Sequence, residues 1–309
     1  MKVLYDFTAP KDAFSLGLGF FDGIHLAHRE IIKKTVSLAC ENSAKSAIIT
    51  FVKSPYEVFG GDAKYITTNT QKTALIEALG VDYLYLLDFT KIKDLTGAQY
   101  IEEILYKNFK PKFLVTGFNH HFGAKRSGGP ELLKTLAPKF GYQYLEIPPQ
   151  KIEGRLISSS VIKDFIEQGN LEHTCAFLGR NFEVEGEVQV GNKLGRTINF
   201  PTANLIWPEK IVKLPYGVYS GSTRVENKTY QSLISWGPRP TIDNKYVLEA
   251  HIIGFDKDIY GQTIAVGFEK KLRDIIKFNS MDELKAAIEK DLLLWAARQS
   301  SLARPTSPS

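Results

Sequence analysis

The pattern of apolar residues changes once along the chain of 309 residues, and this change limits the possible folds. In the first half, short β-rich apolar runs alternate with segments of helical spacing, which predicts a parallel sheet with helices on both faces. After Gly179-Arg180, apolar residues recur at every second position between polar turns, which favours a small closed antiparallel barrel. We therefore predict two domains, residues 1–179 and 180–300, and a disordered tail at 301–309.

The pattern predicts the bounds of individual strands and helices. In the first half, the predicted strands are Ala13–Gly19, Ser46–Val52, Tyr83–Leu87, Phe113–Thr116 and Gln143–Ile147. The predicted helices between and after them are His28–Cys40, Gln71–Leu79, Ala98–Asn108, Glu131–Lys139 and Val161–Leu178. An amphipathic helix, Met281–Ala297, is expected to pack against the barrel of the second half.

Composition indicates an ordinary globular protein, with 43% hydrophobic and 24% charged residues. The net charge of +5 mildly favours anionic ligands and does not indicate nucleic acid. Cys40 and Cys175 have no metal-type spacing, so they are expected to be thiols in a reducing cell. No signal peptide or bilayer-spanning run is visible, which predicts a cytoplasmic protein that does not contact a membrane. The sequence shows no sign of an obligate protein partner.

The loop after the first predicted strand is the first candidate site, because parallel sheets bind ligands at the carboxyl ends of their strands. It runs from Gly19 through Phe21 and Asp22 to a pair of histidines, His25 and His28, from a total of six in the chain. Both histidines open a helix, where free N–H groups and the helix dipole favour phosphate. The alternative is that both are surface histidines on a first helical turn.

Two further polar segments follow in the first half. The loop after the fourth strand is rich in glycine and contains Asn119, the His120-His121 pair and Arg126; without other context it is a surface loop. The pair is not a convincing metal site, because no third ligand has a recognisable spacing. Serines before a helix, at Ser158 and Ser159, are ordinary N-caps taken alone.

In the second half, the segment GNKLGRTINFPTANL begins at Gly191 and combines two kinds of chemistry. Glycines permit close approach to the backbone, and Lys193 and Arg196 supply cations suited to phosphate oxygens. Thr202 and Asn204 carry oxygens of the kind that Mg²⁺ accepts together with bound phosphates. The alternative is a glycine-rich turn followed by the start of a strand.

Glu249 is the second chemical element of this half. It shares one face of a β-rich segment with Val247 and His251. A glutamate at such a position is usually solvated, and the pattern by itself does not separate that role from a catalytic one.

The second half resembles the riboflavin kinases. The order Gly-x-x-x-Gly-Arg-x-x-x-Phe-Pro-Thr-Ala-Asn, from Gly191 to Asn204, looks like their signature for Mg²⁺ and ATP, and Glu249 lies in a segment similar to their Val-Glu-x-His strand. The resemblance implies that Glu249 is the catalytic base, that Thr202 and Asn204 hold the metal, and that Gly191, Lys193 and Arg196 bind phosphates. It also implies a catalytic role for Arg273, in the matching Lys-Leu-Arg segment.

The first half resembles the flavin adenylyltransferase branch of the nucleotidyltransferases, whose motif is Gly-x-Phe-Asp-Gly-x-His-x-Gly-His. This implies a Rossmann-like fold and catalytic roles for His25 and His28. Further residues are implied to bind ATP or its phosphates: Gly19, Phe21, Asp22, Asn119, Arg126, Ser158, Ser159 and Lys163. The chain departs from the motifs at Ala27 for glycine, Ser54 for histidine, His120 for an aromatic residue, Ser160 for threonine and Lys163 for arginine.

Together, the two resemblances predict a bifunctional enzyme. It would phosphorylate riboflavin to FMN and adenylylate FMN to FAD, with ATP, riboflavin and FMN as substrates and Mg²⁺ as cofactor. Two alternatives stay open: a riboflavin kinase whose first domain is only regulatory, and a non-enzymatic flavin-binding or gene-regulatory protein. The departures at Ala27, Ser54 and Lys163 keep the first alternative open, whereas Thr202, Asn204 and Glu249 argue against the second.

Overall fold

A computed structural model describes residues 1–191, 200–238 and 246–302. The chain divides into two compact units. The first unit is Met1–Lys163 with Phe177–Gly179, and the second is Asp164–Ala176 with Arg180–Ser309. Lys193 and Arg196 lie outside the described residues, as do residues 303–309 of the predicted tail.

The first unit contains a six-stranded parallel sheet in the order β1-β4-β3-β2-β5-β6. Its strands are β1 Lys2–Leu4, β2 Phe14–Leu18, β3 Lys45–Phe51, β4 Tyr83–Leu87, β5 Phe113–Gly117 and β6 Gln143–Ile147. All five residues of β2 are buried, because a central parallel strand is covered on both faces. The predicted α/β architecture is confirmed. The edge strand β1 was not predicted.

Helices connect these strands. They are α1 Leu26–Glu41, α2 Pro55–Val58, α3 Asn69–Glu77, α4 Gly97–Gln99, which continues as a π-helix over Tyr100–Phe109, and α5 Pro130–Phe140. Thr68 and Gln71 form a capping box at the start of α3: each side chain accepts a hydrogen bond from the other residue's backbone N–H. A short hairpin, β7 Lys151–Ile152 and β8 Arg155–Leu156, precedes α6 Ser159–Glu167 and α7 Leu171–Leu178.

The second unit is built on an antiparallel sheet in the order β10-β13-β12-β11-β14-β9. Its strands are β9 Phe182–Glu187, β10 Ala203–Leu205, β11 Gly217–Val225, β12 Lys228–Pro238, β13 Tyr246–Ile252 and β14 Thr263–Arg273, and helix α8, Met281–Leu302, follows. A single bridge between Gln189 and Asn204 joins the two edges of the sheet. The predicted antiparallel barrel with a terminal helix is thus confirmed.

Aromatic residues fill the interior of this barrel. Trp207 and Trp236 pack with ring centroids 4.5 Å apart, and Phe182 and Phe268 lie against the same cluster. Each indole N–H donates to a backbone carbonyl, that of Ile211 or that of Leu214, so neither leaves a buried donor without a partner. The antiparallel pairing of β10 with β13 places the residues of the second candidate site.

Candidate active sites

In the first unit, a strained turn links β2 to α1. Phe21 and Ile24 have left-handed φ values of 57° and 40°, which residues with a side chain rarely adopt. Asp22 holds the turn, because its Oδ1 accepts hydrogen bonds from the backbone N–H groups of Ile66 at 2.8 Å and Thr67 at 3.4 Å. The turn therefore delivers the next residue, His25, to the start of α1 in a defined position.

His25 and His28 stack on each other with ring centroids 3.5 Å apart and an angle of 16° between the planes. His25 caps α1: its Nδ1 accepts a hydrogen bond from the backbone N–H of His28 at 3.3 Å, so the neutral ring carries its proton on Nε2. Desolvation, reinforced by the nearby His25 and Lys72, holds the pKa of His28 well below its usual range. At neutral pH, His28 is thus a neutral hydrogen-bonding group.

A cavity of about 380 Å³ opens at this histidine pair. Most of the predicted residues of the first half line it: Gly19, Phe21, His25, His28, Asn119, Ser158 and Ser159. Ala27, His120 and His121 also contribute to the lining, so four of the chain's six histidines surround one space. Ala27, which stands where the motif has glycine, therefore adds a methyl group at this cavity.

Three predicted residues, Asp22, Lys163 and Arg126, are not among the described residues that line this cavity. The ammonium group of Lys163 donates to the backbone carbonyl of Lys64 at 3.0 Å and lies 3.8 Å from Oδ2 of Asp22. Arg126 is exposed on a short turn. Their roles toward phosphate stay predictions.

Lys72 is a residue that sequence reasoning missed. It is only 3% exposed, and its Nζ donates to the backbone carbonyl of Phe51 at 2.9 Å. The same group lies 4.6 Å from the centroid of the Phe20 ring, a cation–π distance. Burial lowers the pKa of Lys72 to about 8. In the sequence it stands between the polar residues Gln71 and Thr73, a pattern typical of a solvent-facing helix position.

In the second unit, Asn204 on β10 and Glu249 on β13 are directly paired across the sheet. Thr202 lies beside this pair. The Nδ2 group of Asn204 donates to the carbonyl oxygen of Thr202 at 3.3 Å and to the Oγ1 of Thr202 at 3.4 Å. Gly191 packs against the same amide: a Cβ there would lie 2.7 Å from Cγ of Asn204. A glycine is therefore required at position 191 if Asn204 keeps this orientation.

A second cavity, of about 510 Å³, is lined by Thr202, whereas Asn204 and Glu249 are not among the described residues that line it. Pro201 and Thr202 form one wall, and the segment from Phe255 to Tyr260 forms another. His251 fixes the first wall, since its Nδ1 makes a 2.8 Å hydrogen bond with the carbonyl oxygen of Pro201. The cavity has the size of a small-molecule site.

The predicted catalytic residue Arg273 is engaged in an ion pair. Its Nη2 lies 2.8 Å from Oδ2 of Asp291 on α8, and its Nε donates to both oxygens of that carboxylate at 3.2 and 3.0 Å. Asp291 is only 3% exposed. Arg273 also lies three strands from Glu249, with Ser235 and Val218 between them in the register. This geometry shows a structural contact, and a catalytic role stays a prediction.

The metal-binding prediction agrees with the types of donor present. Within residues 1–191, 200–238 and 246–302, no group of three or more His, Cys, Asp and Glu residues is arranged to hold a metal. The oxygens of Thr202 and Asn204, with the carboxylate of Glu249 across the strand pair, are hard donors. Such a partial set suits Mg²⁺, which completes its coordination with waters and substrate phosphates.

Comparison with known proteins covers both units. Residues 8–161 match the family model of FAD synthetase, and residues 178–298 match that of riboflavin kinase. A bifunctional riboflavin kinase/FMN adenylyltransferase of Haemophilus influenzae is 32% identical over 283 residues, which cover 90% of this chain and 92% of that protein. The protein of the same name from Escherichia coli K12 is 31% identical over 290 residues, 92% of each chain.

One solved structure resembles nearly the whole chain. A crystal structure from Streptococcus pneumoniae, described as a macrolide-efflux protein, is 28% identical, covers 95% of this chain and 98% of its own, and has a TM-score of 0.84. In the described part of the present chain, no helix has both the length and the apolar character needed to cross a membrane.

Proposed function

Because this chain belongs to the family of bifunctional riboflavin kinases/FMN adenylyltransferases, we propose a mechanism for each of its two reactions. The chain is an ATP-dependent transferase that phosphorylates riboflavin to FMN and adenylylates FMN to FAD. Both halves match their family models, which favours the bifunctional enzyme over a kinase with a regulatory first domain.

In the kinase reaction, Glu249 accepts the proton of the terminal ribityl hydroxyl as that oxygen attacks the γ-phosphorus of ATP, and the bond from the γ-phosphorus to the β–γ bridging oxygen breaks to release ADP. The pairing of Asn204 with Glu249 supports this role and is the observation that carries the proposal for this unit. Thr202 and Asn204 hold Mg²⁺, which when bound neutralises charge on the phosphates. The cavity between Thr202 and Tyr260 accepts the nucleotide. Most of the acceleration then comes from positioning and charge neutralisation.

In the adenylyl transfer, a phosphate oxygen of FMN attacks the α-phosphorus of a second ATP, and the bond to the β-phosphate breaks to release pyrophosphate. The nucleophile is already an anion, so no general base is needed. The Nε2–H of His25, the neutral ring of His28 and the hydroxyl of Ser158 donate to phosphate oxygens, and the hydroxyl of Ser159 joins them by exchanging its 3.0 Å bond to the Asp22 carbonyl for one to phosphate. The stacked histidines at the mouth of the first cavity carry this assignment.

Incubation with riboflavin, ATP and Mg²⁺, followed by chromatographic separation of the flavins, tests both activities. We expect FMN to appear first and FAD to follow with release of pyrophosphate. A second incubation begins from FMN and measures adenylyl transfer alone, and a third replaces Mg²⁺ by a chelator. A monofunctional kinase would form FMN in the first incubation and no FAD in the first or the second. A non-enzymatic flavin-binding protein would bind riboflavin without converting it.

A further inference from the structure

The ammonium group of Lys72 touches the wall of the adenylyl-transfer cavity from behind. Its two close partners, the carbonyl oxygen of Phe51 and the ring of Phe20, both belong to residues that line the cavity. Lys72 itself is not among the described lining residues. A lysine at 3% exposure is costly, because an ammonium group loses its hydration on burial. Its position therefore calls for an explanation beyond packing.

Charge provides part of that explanation. Among the described residues that line this cavity there are histidines and serines but no lysine or arginine. Behind the wall, Asp22 is 4% exposed, and its Oδ2 has no hydrogen-bond partner in the described residues. Burial raises the pKa of Asp22, whereas the charges of Lys163 and Lys72 lower it. Lys72 thus helps to keep Asp22 ionised.

Asp22 connects this charge to the catalytic turn. Its other oxygen, Oδ1, holds the backbone N–H groups of Ile66 and Thr67, and its carbonyl accepts a hydrogen bond from Ser159 at 3.0 Å. A carboxylate accepts such bonds better than a neutral acid does. Any loss of its charge would loosen the turn that presents His25.

We propose that Lys72 is a positioning residue for adenylyl transfer, whose buried ammonium group fixes Phe20 and Phe51 in the wall of the cavity that contains the His25–His28 pair. The proposal rests on the proposed FMN adenylyltransferase function of the first unit. Lys72 does not touch the reacting atoms; it acts through the wall.

The proposal predicts a pH dependence. Since burial lowers the pKa of Lys72 to about 8, kcat/KM for FAD formation should fall as the pH rises through that value. The titratable groups that face Lys72 are Asp22 and His28, with Lys163 beyond Asp22 and Tyr65 beyond Phe20. Burial raises the pKa of Tyr65 above 10, so this phenol titrates at higher pH than Lys72.

The test compares Lys72→Met, which keeps the length of the side chain without its charge, with Lys72→Arg, which keeps a charge at all accessible pH values. Lys33→Met on the exposed face of α1 is the matched control. FAD formation from FMN, ATP and Mg²⁺ is measured between about pH 6.5 and 9.5, with riboflavin phosphorylation by the same preparations as an internal reference.

We expect Lys72→Met to lower kcat/KM for FAD formation by about 10²-fold at neutral pH and to abolish the alkaline decline. We expect Lys72→Arg to move that decline out of the measured range, and Lys33→Met and all kinase rates to stay at the wild-type value. A Lys72→Met variant with the wild-type rate and the wild-type pH profile would overturn the proposal.

Amide hydrogen exchange tests the proposal on the wild-type protein, so the result does not depend on whether the Lys72 variants fold. Protection of the Val52 amide, which shares a peptide group with the Phe51 carbonyl that Lys72 binds, should drop as the pH rises through about 8, after correction for intrinsic rates and relative to the strand amides of β4. Constant protection would overturn the positioning role. Absence of FAD from the wild-type enzyme would instead refute the proposed adenylyltransferase function, and the exchange experiment would still decide the role of Lys72.

Discussion

Asn204 lies directly opposite Glu249, on the two neighbouring strands β10 and β13. The pair brings an amide oxygen expected to bind the metal next to a carboxylate expected to accept a proton. Gly191 leaves room for the amide of Asn204, because a side chain at position 191 would collide with it. The predicted kinase site thus depends on one strand pair and one glycine.

Glu249→Gln should reduce FMN formation by about 10²–10⁴-fold, because a positioned base contributes that much and the amide cannot accept the proton. Conversion of FMN to FAD should continue, since the first unit is unchanged. Chromatographic assays from riboflavin and from FMN measure the two steps separately. Glu226→Gln, at an exposed turn, is the matched control. A wild-type rate of FMN formation by Glu249→Gln would show that another group is the base.

Asn204→Ala and Thr202→Ala should each raise the Mg²⁺ concentration needed for kinase activity by about tenfold, since a contact to a charged group is worth about 1.5–3 kcal/mol. Gly191→Ala should have a similar effect by displacing Asn204, and its combination with Asn204→Ala should be less than additive. Kinase rates over a Mg²⁺ titration give these values, with exposed Asn227→Ala as the control. An unchanged metal dependence would contradict the assignment.

Arg273→Ala should destabilise the second unit by about 3–5 kcal/mol, because it leaves the buried carboxylate of Asp291 without its ion-pair partner. Replacement of both residues, as Arg273→Met with Asp291→Leu, should restore much of this stability. Thermal unfolding measures both effects. If the folded double variant forms FMN at the wild-type rate, Arg273 is structural; a selective loss of kcat would instead support its predicted catalytic role.

His120→Phe should make the first unit less sensitive to acid. Desolvation, with His121 nearby, lowers the pKa of His120 from 6.5 to about 4. Between these values the unfolded chain binds a proton that the folded chain does not, so stability is lost as the pH falls from 6.5 towards 4. Phenylalanine keeps the stacking on Phe122 and removes the titration.

Melting curves at a series of pH values measure this difference. A change of 1 kcal/mol corresponds to about 2–4 °C for a unit of this size, so the shift is readily detected. His121→Phe, at the exposed neighbouring position, should retain the acid sensitivity of the wild type. Parallel melting profiles for wild type and His120→Phe would contradict the prediction.

Ala27→Gly together with Lys163→Arg should raise FAD output, chiefly through tighter ATP binding. Ala27 lies in the cavity lining, so removal of its methyl widens the space at the start of α1. Arginine at position 163 offers a fork that can keep the Lys64 carbonyl and Asp22 contacts and still present a free donor. The KM for ATP in the FMN-to-FAD assay measures the gain. No FAD from either the wild type or the double variant would indicate a first unit without adenylyltransferase activity.

Most of the fold could be predicted because its strands and helices are long enough to show a periodic pattern of apolar residues. Strands Tyr83–Leu87 and Gln143–Ile147 have the predicted limits, and α1 starts within two residues of its predicted position. β1 and β10 were missed, since strands of three residues show no alternation. The cytoplasmic location and the lack of nucleic-acid or protein partners stay predictions.

Contacts within the candidate sites could be predicted from local spacing only where neighbours in the sequence are also neighbours in space. His25 and His28 are three residues apart at a helix start, so their stacking follows from local geometry. The burial of Lys72 and the ion pair of Arg273, which the resemblance marked as catalytic, could not be predicted, because nothing near either residue in the sequence indicates its partner. Their partners, Phe51 and Asp291, lie 21 and 18 residues away.

Local periodicity and local hydrogen bonding are therefore enough to predict the two architectures, the turn chemistry and the residue types available to each site. Which polar groups are buried, and what faces them, became visible with the tertiary contacts. These contacts pair Asn204 with Glu249 and place Lys72 behind the cavity wall. Burial and cross-strand register depend on contacts between distant segments, and these contacts set the charge and the hydrogen-bonding state of each group.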